Sequence, residues 1–254
     1  MRSHPPFARS YAALIATMVA ARIAMAASGA APMIASQGVA LSWLTLAALA
    51  LLGWGALFLA GRVGFAAEWE QRGPAWRWYA LAAPVAVVYG ILSASGDILT
   101  WAQTSGSVHA REVWGTVDVH QRFPASIPFY WYGGAFLEIF LRLIGLTALT
   151  WLLRPLVGRS RPLLAFWAAN VVVSLYEPWP YLALDIGKTP AAAWPSVVVS
   201  DHLLDQLFLA NLFTGYLYRR SGLWTAVIFR YAFYLIWHVA YGSFRPTWLE
   251  LFLG

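Results

Sequence analysis

GAFLEIFLRLIGL, Gly134–Leu146, is an apolar stretch that nevertheless carries Glu138 and Arg142. At a spacing of four, the two charges lie one helical turn apart on the same face, glutamate first, the order that favours pairing. An ionised group in an apolar medium is expensive unless it is paired, and in a membrane helix it turns toward the bundle interior. The stretch therefore reads as part of a bundled, membrane-crossing helix over residues 129–151, with a charged pair facing inward.

The rest of the chain supports that reading. Of its 254 residues, 60% are hydrophobic and 11% charged, where soluble domains average about 25% charged. Mean hydropathy is +0.60. Apolar runs of roughly 20 residues recur, the length a helix needs to cross a bilayer. The expected fold is an all-α polytopic membrane bundle of about seven transmembrane helices. The spans fall at 11–30, 39–61, 79–101, 129–151, 163–182, 197–217 and 223–241. Many of the 15 Trp and 12 Tyr sit near span ends, as in WEQRGPAWRWY and EPWPY. Amphipathic rings favour the headgroup level.

Charge sets the expected orientation. With the N-terminus in the cytoplasm, ten arginines, from Arg2 to Arg220, fall on the inner side. Arg111, Arg122, Lys188 and Arg245 fall outside, and Arg22, Arg142 and Arg230 lie within spans. This is the positive-inside pattern of a bacterial-type inner-membrane protein with an outer C-terminus. The basic residues are scattered and form no run, so the net charge of +6 points to topology rather than nucleic acid. The first span reads as a retained helix rather than a signal peptide, because Arg22 stands beside the small residues of any cleavage site. There is no cysteine, which excludes thiolate chemistry and Cys-ligated metals.

Three regions organise the chain, forming one structural domain: 1–128, three helices with an outer polar loop; 129–241, the helical core; and 242–254, a short amphipathic tail expected on the outer surface. The outer loop 102–128 holds His109, Glu112, Asp118 and His120. No ligand spacing recurs there, so it reads as an exposed loop and no metal is expected.

Ionisable residues inside spans are functional candidates. Glu138, Arg142, Glu177, Asp205, Arg230 and His238, with Tyr234, form the expected buried polar cluster. Asp97, Asp201 and His202 lie nearer the outer end. Counting about 1.5 Å per residue, Arg230 lies at roughly 10 Å depth and Glu177 roughly 10 Å beyond it.

Residues 134–240 resemble the CPBP family, the CAAX proteases and bacteriocin-processing membrane enzymes. GAFLEIFLR is similar to the family's Glu-Glu-xxx-Arg motif in segments like AFLEEIFFRG. LFTGYLYRRSGLWTAVIFR, Leu212–Arg230, is similar to GxLYxRTGSLWxAIxxH over its whole length. The resemblance implies a helical bundle around a polar site and intramembrane endopeptidase activity. The sequence departs from the pattern where it matters. Glu138 and Arg142 match the second glutamate and the arginine, but the first glutamate, which activates water, falls on Leu137. The second motif's histidine falls on Glu177, in ANVVVSLYEPW. The third motif's His-xxx-Asn reads Arg230 to Tyr234. Glu177 and Arg230 are expected to pair where the hydrolytic site would stand. Arg230 cannot act as a general base, because a guanidinium stays protonated.

The first functional reading is thus a catalytically silent scaffold or accessory subunit. Its partners are the bilayer and another membrane protein or transmembrane helix, with no nucleic acid and no cofactor. One alternative is an active endopeptidase in which Glu138 or Glu177 is the base and His238 a second acid/base or a ligand. The other is a proton, small-molecule or cofactor-binding membrane subunit, with Glu138, Glu177 and Asp205 as a relay.

Overall fold

The computed structural model describes residues 5–28, 42–65, 76–104, 121, 123–157, 161–179 and 206–244. Eight α-helices follow in order: α1 (Pro5–Ala27), α2 (Trp43–Val63), α3 (Trp76–Thr104), α4 (Ser126–Glu138), α5 (Thr147–Val157), α6 (Pro162–Ser174), α7 (Gln206–Ser221) and α8 (Leu223–Tyr234). Two π-helical segments interrupt the series. Ile139–Leu146 joins α4 to α5, and Leu235–Tyr241 extends α8. No strand occurs among the described residues.

Local sequence explains several boundaries. Ser42 caps α2, its hydroxyl accepting from the Thr45 N–H at 3.0 Å, as an N-cap serine does. Gly64 ends the same helix at φ 74°, a left-handed conformation that glycine adopts without a Cβ clash. Gly222, at φ 95°, makes the break between α7 and α8. Pro162 occupies the first turn of α6, where its missing N–H removes no helical bond.

Among the described residues, five helical stretches are long and apolar enough to cross a membrane: Arg9–Ala27, Trp43–Val63, Arg77–Ser95, Ser126–Val157 and Leu223–Phe244. Of the seven expected spans, the fifth is shorter than its apolar pattern suggests. Its helix α6 has 13 residues and gives way to turns after Ser174. The sixth contributes the 16-residue α7, while residues 197–205 lie outside the described residues.

The polarity of the bundle is inverted relative to a soluble domain. Glu138 and Arg142 are fully buried, whereas Leu44 is 80% exposed and Leu156 78%. Apolar surface on this scale belongs in a lipid-like medium, not in water.

Two apolar clusters flank the charged centre. One joins α1, α2, α4, α6, α8 and the first π segment around Leu14, Met18, Ile139 and Phe166. The other joins α3, α7 and α8 around Ala86, Leu217, Phe229 and Phe233. Close backbone approach marks the second. A Cβ on Gly90 would come within 2.8 Å of the Ile236 Cγ2 atom, so only glycine lets α3 meet the segment after α8. Small residues serve this purpose between membrane helices.

Candidate functional site

The site grows from Glu138, the last residue of α4. Immediately after it the backbone widens into the π segment, and the Thr147 N–H reaches back five residues to the Arg142 carbonyl. The Thr147 hydroxyl donates to the same carbonyl at 3.2 Å. π segments of this kind recur at functional sites. This one presents Arg142 to the interior, its Nε 3.4 Å from Glu138 Oε2. The i, i+4 pair expected from the sequence is present, as a long contact.

The stronger partner of Glu138 comes from another helix. Arg230 on α8 donates from Nε to Glu138 Oε1 at 2.5 Å. Its two terminal nitrogens grip Glu177, Nη1 to Oε1 at 3.2 Å and Nη2 to Oε2 at 3.0 Å. The first is a hydrogen bond and the second an ion-pair contact, since Glu177 Oε2 accepts no hydrogen bond. Nη1 also donates to the Tyr234 hydroxyl at 3.2 Å. Arg230 thus bridges both carboxylates. The depth difference counted from helical rise does not separate the pair. The helix before Glu177 stops at Ser174 and gives way to turns, so Glu177 gains no further helical rise, and a long arginine spans the remainder.

Asn211 and Thr214 on α7 complete the network. The Asn211 Oδ1 accepts from Arg142 Nη2 at 2.7 Å and from Arg230 Nη2 at 2.5 Å. Thr214 accepts from Arg142 Nε at 3.0 Å and donates to the Asn211 carbonyl at 3.0 Å. The shared amide oxygen sits between two like charges and screens their repulsion. Sequence reading missed both residues. Their signal is a polar pair at spacing three in ANLFTG, one face of an otherwise apolar helix.

Of the candidate cluster, Glu138, Arg142, Glu177, Arg230 and Tyr234 are brought together. Asp205, Asp201 and His202 lie outside the described residues, as do His109, Glu112, Asp118 and His120. The side chain of Asp97 is likewise outside them. His238 lies one layer further out. Its ring stacks on Tyr130 at 4.3 Å and on Trp237 at 4.2 Å, and meets Tyr234 edge-on at 4.9 Å. His238 lies within the π segment Leu235–Tyr241. Among the described residues no three His, Asp or Glu side chains gather as a metal site.

The network is electrically neutral, two guanidiniums against two carboxylates, and nearly dry. Glu138, Arg142 and Asn211 are fully buried, and the Glu177 side chain is 14% exposed. Each carboxylate accepts a guanidinium hydrogen bond on Oε1, while its Oε2 makes an ion-pair contact without a hydrogen bond. Such an arrangement ties α4, α7, α8 and the turn after α6 to one point. No family model matches the chain, and neither a curated protein nor a solved structure matches it.

Proposed function

We propose that the chain is a catalytically silent integral membrane protein, a scaffold or accessory subunit that holds another membrane protein or transmembrane helix. One observation carries this reading: Glu138 and Glu177, the described carboxylates that would serve a hydrolase, are both bound by arginines. A general base needs a free lone pair within hydrogen-bond reach of the water it activates. Here Oε1 of each carboxylate accepts from Arg230, and Oε2 of each lies within ion-pair distance of a guanidinium.

The resemblance of residues 134–240 to CPBP proteases adds to the reading. In this account Glu177 and Arg230 stand where the family carries neutral imidazoles, and the exchange converts a water-binding site into a salt-bridged brace. A helix-accepting bundle outlives the loss of its chemistry, since fold does not dictate function. The arginine asymmetry supports an N-terminus in the cytoplasm of an inner membrane.

The test is purification of the tagged chain from its native membrane in mild detergent, with co-eluting proteins identified by mass spectrometry. An intact membrane partner in stoichiometric amount is the expected result. Truncated membrane peptides in its place would overturn the silent reading in favour of a protease.

A further inference from the structure

The face of α7 that looks away from the charged network is lined with aromatic rings. α7 packs against both α3 and α6. Between them, Tyr216 meets Trp78 of α3 edge-on at 6.3 Å and stacks on Trp167 of α6 at 6.5 Å with 11° between the planes. Phe213, one turn earlier on α7, lies over the same ring at 6.3 Å. None of the four is fully buried, and Trp167 is 43% exposed.

At the C-terminal end of this aromatic seam, α7 places two adjacent arginines that flank it, one leaning toward α6 and the other toward α3. The Arg219 guanidinium lies over Phe166 of α6 at 4.7 Å, and that of Arg220 over Trp78 of α3 at 5.9 Å. A guanidinium held over a ring face keeps its N–H edge for an oxyanion. The described carboxylate side chains, Glu138 and Glu177, are both committed to the network and offer nothing to this end.

We infer that the lipid-facing side of this aromatic seam binds one anionic phospholipid, its phosphate between Arg219 and Arg220 and an acyl chain along Tyr216 and the exposed Trp167. The inference rests on the membrane-spanning reading. Two features select the ligand. The paired cations at the headgroup end demand a negative headgroup, and the aromatic floor below them, continuous with lipid-facing surface, suits a hydrocarbon chain rather than a soluble anion.

Native mass spectrometry of the full chain in mild detergent tests it, with phosphatidylglycerol and phosphatidylcholine added in equal amounts. Wild-type protein should retain one phosphatidylglycerol in preference. Arg220→Ala should lower that retention about fivefold, the effect of one basic residue near an anionic headgroup, and Arg220→Lys should restore most of it. Arg9→Ala, on α1, should leave it unchanged at equal melting temperature. Equal retention of both lipids overturns the site, and so does an Arg9→Ala loss as large as that of Arg220→Ala. Alkaline carbonate extraction separates the two levels of the account. A chain that stays in the membrane pellet yet shows no headgroup preference refutes the lipid site alone. A chain that is extracted refutes the membrane reading beneath it.

Discussion

Arg230 and Glu138, 92 positions apart in sequence, meet at 2.5 Å with both side chains buried. Their contact joins α8 to α4, and through the other arms of Arg230 it reaches Glu177 and Asn211. A buried pair of this kind adds little net stability compared with a well-packed apolar pair, but removing one member leaves an uncompensated charge and is strongly destabilising. The network therefore acts as a specification: a helix arrangement that fails to bring all four charges together is excluded by its unpaired member.

Asn211→Leu tests the shared acceptor. The substitution removes one oxygen that serves two guanidiniums. Hydrogen bonds to charged groups contribute about 1.5–3 kcal/mol each. The variant should unfold at lower temperature in detergent than Thr214→Val, which removes an acceptor from Arg142 alone.

Arg142→Lys keeps the charge and loses the fork. An ammonium cannot meet Thr214, Asn211 and Glu138 together in the directions that Arg142 uses. The expected loss is about 1–3 kcal/mol, the penalty for leaving buried polar partners unsatisfied, read as a lowered melting temperature. Unchanged stability would show that only charge matters at this position.

Gly215→Ala probes the α6–α7 contact. A Cβ there would collide with the Asn170 amide, whose Nδ2 donates to the Leu212 carbonyl at 3.0 Å. Overpacking of this type costs about 1–3 kcal/mol. Asn170→Ala combined with Gly215→Ala should recover part of the loss, because the colliding group is gone.

The absence of cysteine permits a topology test without background labelling. Arg154 donates to the Arg62 carbonyl at 2.7 Å, and Phe65 packs on Phe166 and Tyr218. These contacts bring Arg62, Arg154 and Arg220 toward one end of the bundle. Single cysteines at the three positions should react with an impermeant maleimide from the same side of the membrane. Labelling from opposite sides would refute the arrangement.

Much of the bundle was legible because its signals are local. Apolar runs and the Glu138–Arg142 spacing need no knowledge of distant residues. The Glu177–Arg230 contact was reachable only by treating two departures from a family resemblance as a pair. Asn211 was missed because an amide within an apolar helix carries no charge to draw attention, and its role depends on partners 69 and 19 residues away. The two π segments were also illegible, since their apolar composition matches that of α-helix. The length of the fifth span was misjudged for a similar reason: apolar residues continue past Ser174, while the chain after it forms turns.

The measurement that bears most directly on the central claim is the thermal stability of the Glu138→Gln chain in the detergent used for wild type. If the charges brace the fold, the variant strands two guanidiniums and should lose about 3–5 kcal/mol. That corresponds to about 2–4 °C of melting temperature for each kcal/mol in a chain of this size. A catalytic carboxylate is held at some expense to stability, and its removal leaves a protein as stable or more so. An unchanged or raised melting temperature would therefore contradict the structural role and return Glu138 to the list of catalytic residues.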